Sequence, residues 1–133
     1  MHVETLLQLV LSGLAMGGIY AFIAVGFVTI HAVTGFINFA QGEFAMVAAL
    51  VAASLTAAGM PLALAVLVAV ACSTLVGVLT ERVAVQPVRR TSPLVVLVMT
   101  VAASTALRGV ALLLWGTTPH GLPAFSAGPP VAF

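Results

Sequence analysis

The sequence predicts an all-α, polytopic membrane protein with four transmembrane spans and its N-terminus outside. Three observations carry the fold class. Apolar residues make up 62% of the 133 positions and charged residues 5%, against about 45–50% and 25% in an average soluble domain. The charges are Glu4, Glu43, Glu81, Arg82, Arg89, Arg90 and Arg108, with no Asp and no Lys; they cannot clothe a soluble fold of this size, most of whose residues touch its surface. The apolar residues fall into four long stretches without the period-two alternation of barrel strands, and Ala and Leu abound, so all four read as helices. This composition excludes an ordinary soluble enzyme, a nucleic-acid binder and a disordered tail. The net charge of +1 supplies no field that would gather nucleic acid.

The first span runs over residues 6–30 without a charge, and the second over about 39–58 with Glu43 in its first turn. The third covers 61–79 and the fourth 94–115, which contains Arg108. Each approaches the roughly 20 residues that cross a ~30 Å hydrocarbon core. Met1-His2-Val3-Glu4 lacks the basic flank of a secretory signal, so the first run reads as a retained span. Asn38 followed by Gln41 predicts a capping box for the second span. Gly59-Met60-Pro61 separates spans two and three, with Pro61 suited to a first helical turn. Pro87 stops the third span, because a helix interior loses a hydrogen bond there. Ser92-Pro93 opens the fourth as an N-cap followed by proline. Residues 116–133, with prolines at 119, 123, 129 and 130, read as an outer loop. The whole of 1–133 is read as one membrane domain.

Orientation follows from the basic residues in short loops. Arg82, Arg89 and Arg90 all fall between spans three and four, which places that loop in the cytoplasm. Counting back alternately sets the N-terminus and the segment after Gly116 outside. Trp115 then sits at the outer interface.

Chemistry within the chain is sparse. There is no phosphate-binding glycine motif, no nucleophile–base pair and no cluster of metal-ligand spacing among His2, His31 and His120. No catalytic, metal or cofactor site is expected. The single Cys72 excludes an intramolecular disulfide.

The informative stretch is Gly35-Phe36-Ile37-Asn38-Phe39-Ala40-Gln41-Gly42-Glu43. It joins two apolar helices yet is mostly apolar itself. Irregular backbone at membrane depth is tolerated only when buried in protein or lining a wet cavity, and transporters aim helix ends at substrates through such breaks. Asn38, Gln41, Gly42 and Glu43 are therefore candidates for a substrate path. The plainer alternative is a tight turn in which Asn38 caps a helix and Glu43 favours its positive end. In span one, Gly13, Gly17 and Ala21 recur every four residues and predict close helix packing. Gly18, Phe22 and Gly26 form a second row, and Tyr20 lies between the two, either lining the path or buried against a carbonyl. In span four, Thr100, Ser104 and Arg108 share one face. Arg108 either serves function inside the membrane or snorkels to the outer interface. Counting residues puts Glu43 near the inner face and Arg108 nearer the outer, so the two should not meet unless a break draws Glu43 inward.

The run Gly17-Gly18-Ile19-Tyr20-Ala21 through Ala24-Val25-Gly26, and then the block GFINFAQGEFAM at 35–46, resemble the permeases of branched-chain amino acid ABC importers, the LivH type. Glu81-Arg82, Gln86-Pro87-Val88-Arg89 and the segment ending Leu-Leu-Leu-Trp-Gly at 116 are similar to the family's later blocks. The resemblance implies a subunit that passes leucine, isoleucine or valine inward and is not itself an enzyme. It implies as partners a second homologous permease, two ABC ATPases that hydrolyse ATP, and an extracytoplasmic substrate-binding protein, in the bacterial inner membrane. Family members are considerably longer, so the chain is expected to be the N-terminal portion of a permease domain. A urea or short-amide importer permease is the related alternative, and a small four-span scaffold or assembly protein the alternative of another class.

Overall fold

The computed structural model describes residues 3–118 and 121–122, so part of the expected outer loop lies outside the described residues. Four apolar α-helices carry the chain: α1 (Val3–Thr34), α2 (Gln41–Ala57), α3 (Leu62–Thr80) and α4 (Pro93–Trp115). A π-helical turn, Glu81–Val85, extends α3. The all-helical class agrees with the sequence reading. Helices α1, α3 with its extension, and α4 are long and apolar enough to cross a membrane. Helix α2, at 17 residues, is only ~25 Å long.

The boundaries have identifiable causes. Nothing interrupts α1 until Gly35, whose φ of 75° is open to glycine and whose N–H donates to the His31 carbonyl at 2.8 Å. Helix α2 ends in a Schellman turn: Gly59 (φ 90°) donates to Thr56 O and Met60 to Leu55 O, both at 3.0 Å. Pro61 takes the N-cap position of α3, one residue before the helix proper. The Gln86 N–H reaches five residues back to the Glu81 carbonyl at 2.7 Å, widening the last turn before Pro87 ends it. Ser92 and Pro93 occupy the expected cap and first positions of α4. The Ser92 hydroxyl makes no capping bond; its backbone carbonyl accepts from Val95 and Val96 instead.

Helices α2 and α3 form a close antiparallel hairpin, and α4 packs against α2 on another side. The buried residues are mostly small: Ala40, Ala52, Ala53, Ala65, Ala69 and Ala111, with Val47, Val85 and Val96. Inside lipid, apolar burial gives no net drive to associate, so close approach of small side chains and interhelical hydrogen bonds hold helices together. The Ser73 hydroxyl donates to the Phe44 carbonyl across the hairpin at 2.7 Å. At the far end, Trp115 Nε1 donates to Ser54 Oγ at 2.6 Å, which sets the C-terminal ends of α2 and α4 side by side. Helix α1 meets the start of α2 through Gln41 and the preceding segment through Phe27, whose ring lies edge-on to Phe39 at 6.5 Å, and otherwise presents a largely exposed apolar surface.

Candidate functional site

The segment from Gly35 to Ala40 turns back into the bundle. Phe36 and Ile37 share a groove with Pro93, Leu94 and Leu97, level with the beginning of α4. Two residues on, the Phe39 N–H donates to Thr100 Oγ1 at 3.3 Å. Thr100 lies seven residues into α4, or ~10 Å from its start. Helix α2 therefore begins at depth, which is why it is short.

That offset overturns one expectation. Glu43 and Arg108 meet: Arg108 Nε donates to Glu43 Oε1 at 2.7 Å, and Ser104 Oγ donates to the same oxygen at 3.0 Å. Counting residues had assumed that the break lies at the membrane surface. Because it re-enters, Glu43 rises to the level of Ser104. From Ser54, beside Trp115, back to Glu43 is eleven residues, and from Trp115 back to Arg108 is seven; the difference is ~6 Å of helix rise, which the long arginine side chain spans. The three polar residues of one α4 face thus all engage the break, Thr100 through Phe39 and the other two through Glu43.

The carboxylate is buried, with 5% of its side chain exposed, whereas 68% of the Arg108 side chain is exposed. A carboxylate removed from water needs charge-assisted donors, and this one has a hydroxyl and a guanidinium. Arg108 pairs inward toward Glu43, and among the described residues its other donor groups have no partner.

The expected capping box does not form. Ala40 takes the N-cap position of α2, and the Asn38 side chain folds into its own turn, accepting from the Ala40 N–H at 3.0 Å. Gln41 reaches across to α1, where its Nε2 donates to the Ile23 carbonyl at 3.3 Å. A Cβ on Gly26 would collide with that amide, so this glycine of the second row on α1 has a definite task, whereas Gly18 faces open space and Phe22 is exposed. Among the described residues, the buried Gln41 Oε1 has no donor. Gly42 is exposed in the first turn of α2, with open space around it.

Other candidates lie apart from this cluster. Tyr20 is exposed on α1, not buried against a carbonyl. Gly13 and Gly17 face open space and Ala21 is exposed, so this row is left open among the described residues. Arg82, Arg89 and Arg90 are exposed between α3 and α4. The Trp115–Ser54 bond was not anticipated; no spacing rule links two residues 61 apart.

Residues 9–130 match the family described as branched-chain amino acid transport system / permease component. The chain belongs to this family. It is 30% identical over 131 residues to the high-affinity branched-chain amino acid transport system permease proteins LivH of Salmonella typhimurium and of Escherichia coli. It is 31% identical over the same length to BraD of Pseudomonas aeruginosa, which carries the same description. Each alignment covers 92% of this chain and 42–43% of the relative, so the chain spans about two fifths of the length of the curated permeases it matches. No solved structure matches it. Membership of this permease family and the long apolar helices make it a multi-pass membrane protein.

Proposed function

We propose that this chain forms part of the translocation path of an ABC importer that moves branched-chain amino acids across the bacterial inner membrane. The observation that carries the reading is the re-entrant break of a permease-family chain, joined inside the membrane to a polar face of α4 by Glu43, Ser104 and Arg108. Irregular backbone and an ionised pair at such depth have a physical reason to exist where they border a wet path. Asn38, Gln41, Gly42, Glu43, Ser104 and Arg108 border that path; Tyr20 belongs to it only if further helices cover α1. Gly13, Gly17 and Ala21 are the face on which such a helix packs. The chain is one part of a larger permease domain, since its curated relatives are more than twice as long. It works with a second homologous permease, two ABC ATPases and an extracytoplasmic binding protein, and the ATPases, not this chain, hydrolyse ATP. Arg82, Arg89 and Arg90 face the cytoplasm, and the N-terminus faces outward.

The test is ATP-dependent leucine uptake by proteoliposomes that hold the assembled importer containing this chain. Uptake is expected, and Glu43→Leu should reduce it far more than it reduces the amount of protein in the membrane. Absence of leucine uptake from the unaltered importer would overturn the reading, and wild-type uptake by Glu43→Leu would leave Glu43 a purely structural role.

A further inference from the structure

Between α2 and α4, on the side toward Trp115, lies an open cavity of about 420 Å³. Among the described residues its walls are mostly apolar, with Met46, Leu50, Ala111, Leu112 and Trp115; Thr117 and Thr118 add hydroxyls, and Arg108 is the one charged lining residue. The size suits a small ligand. The chemistry of the wall is divided: apolar at Met46, Leu50 and Leu112, cationic at Arg108, and hydroxyl-bearing at Thr117 and Thr118.

Arg108 is held in a defined way. Its Nε is committed to Glu43 Oε1, and Ser104 donates to that same oxygen. A guanidinium carries five N–H donors in a planar fork, and the Nε bond uses one of them. The remaining four belong to the two Nη groups, and the side chain is 68% exposed. Glu43 is spent on the inward side and buried, so it does not present a second charge to the cavity.

Resting on the importer reading, we propose that this cavity is a subsite for a small amphiphilic carboxylate, whose carboxylate pairs with the Arg108 Nη groups and whose aliphatic part lies against Met46, Leu50 and Leu112. The planar fork matches a carboxylate through two parallel hydrogen bonds, which a neutral amide or urea cannot reproduce with the same charge. Glu43 and Ser104 are positioning residues, since they fix the direction of the fork and touch no ligand. The subsite thereby discriminates between amino acids and neutral amides at the permease itself.

The experiment uses the assembled importer in proteoliposomes, with Leu112→Cys as reporter in a Cys72→Ser background. The rate of its reaction with a methanethiosulfonate reagent is measured with leucine, leucinamide or urea present. Leucine is expected to protect at a concentration about tenfold or more below that of leucinamide, the loss expected for one charge-assisted hydrogen bond. Urea should give no protection. Arg108→Gln should abolish the preference for leucine over leucinamide. Equal protection by leucine and leucinamide, or none by either, overturns the subsite; that comparison is made with Arg108 intact and does not depend on the folding of the variant. ATP-driven leucine uptake by the Cys72→Ser parent separates the two claims. Uptake without discrimination at Leu112→Cys refutes the subsite alone, whereas no uptake refutes the importer reading and the subsite with it.

Discussion

Thr100→Val isolates the bond that holds the re-entrant segment at depth. Thr100 is 0% exposed, and valine nearly matches its shape, so the change removes a hydroxyl without opening a cavity. The Thr100 hydroxyl donates to the Leu97 carbonyl at 2.8 Å and accepts from the Phe39 N–H at 3.3 Å. Losing the first bond costs little, because a carbonyl in mid-helix keeps its backbone partner. Losing the second leaves the Phe39 N–H unpaired against the fully buried position 100, which costs about 1–3 kcal/mol. If that energy appears as local opening of the break, amide exchange at Phe39 should accelerate about 5- to 150-fold. Thr100→Ser keeps the hydroxyl that accepts from Phe39 and loses only the van der Waals contacts of one methyl, so it should leave Phe39 exchange near wild type. Hydrogen exchange read by mass spectrometry on peptides spanning residues 36–44 of the membrane-embedded permease gives the result. Equal acceleration by the valine and serine variants would show that packing, not the hydrogen bond, holds the break, and the reasoning would fail.

Three further outcomes follow from named contacts. Gly26→Ala should push the Gln41 amide off the Ile23 carbonyl and destabilise the α1–α2 contact by about 0.5–1.5 kcal/mol, measured as a lower unfolding midpoint in detergent; an unchanged midpoint would make that amide contact energetically silent. Trp115→Phe removes the donor to Ser54 and should cost a similar amount, about 0.5–1.5 kcal/mol plus the packing of the larger ring; Ser54→Ala should cost no more on top of it, and additive losses would show that the two do not act as a pair. With Cys72→Ser as background, Thr91→Cys should resist a membrane-impermeant thiol reagent in intact cells while Thr118→Cys reacts. The reverse pattern would invert the orientation.

The helices were legible because their punctuation is strong. Gly35, Gly59 and Ser92-Pro93 each stand where a helix starts or stops, and each does so through backbone physics that local sequence carries. The four-residue spacing of Thr100, Ser104 and Arg108 likewise showed that they share a face. What those residues meet was not legible, because depth in a membrane is a tertiary quantity. Counting from Phe39 put Glu43 at the surface; the segment after Gly35 carries it inward instead, and no local signal states how far. Asn38 and Gln41 have the spacing of a capping box, but the Asn38 oxygen is captured by the nearer Ala40 N–H, and Gln41 finds its carbonyl on α1. Tyr20, which the sequence leaves either on the path or against a carbonyl, is exposed, since α1 meets the rest of the described chain mainly around Ile23 to Phe27.

The depth of Glu43 is the central claim, and a pair of engineered cysteines measures it directly. In a Cys72→Ser background, with a protease site inserted between Arg89 and Arg90, Glu43→Cys is combined with Ser104→Cys or with Val96→Cys. Val96 lies eight residues nearer the start of α4, ~12 Å away along the helix. After treatment with ethanediyl bismethanethiosulfonate and proteolysis, the fragments of the 43/104 pair should remain joined and those of the 43/96 pair should separate. Joining of the 43/96 pair with separation of the 43/104 pair would put Glu43 at the membrane surface and contradict the re-entrant break.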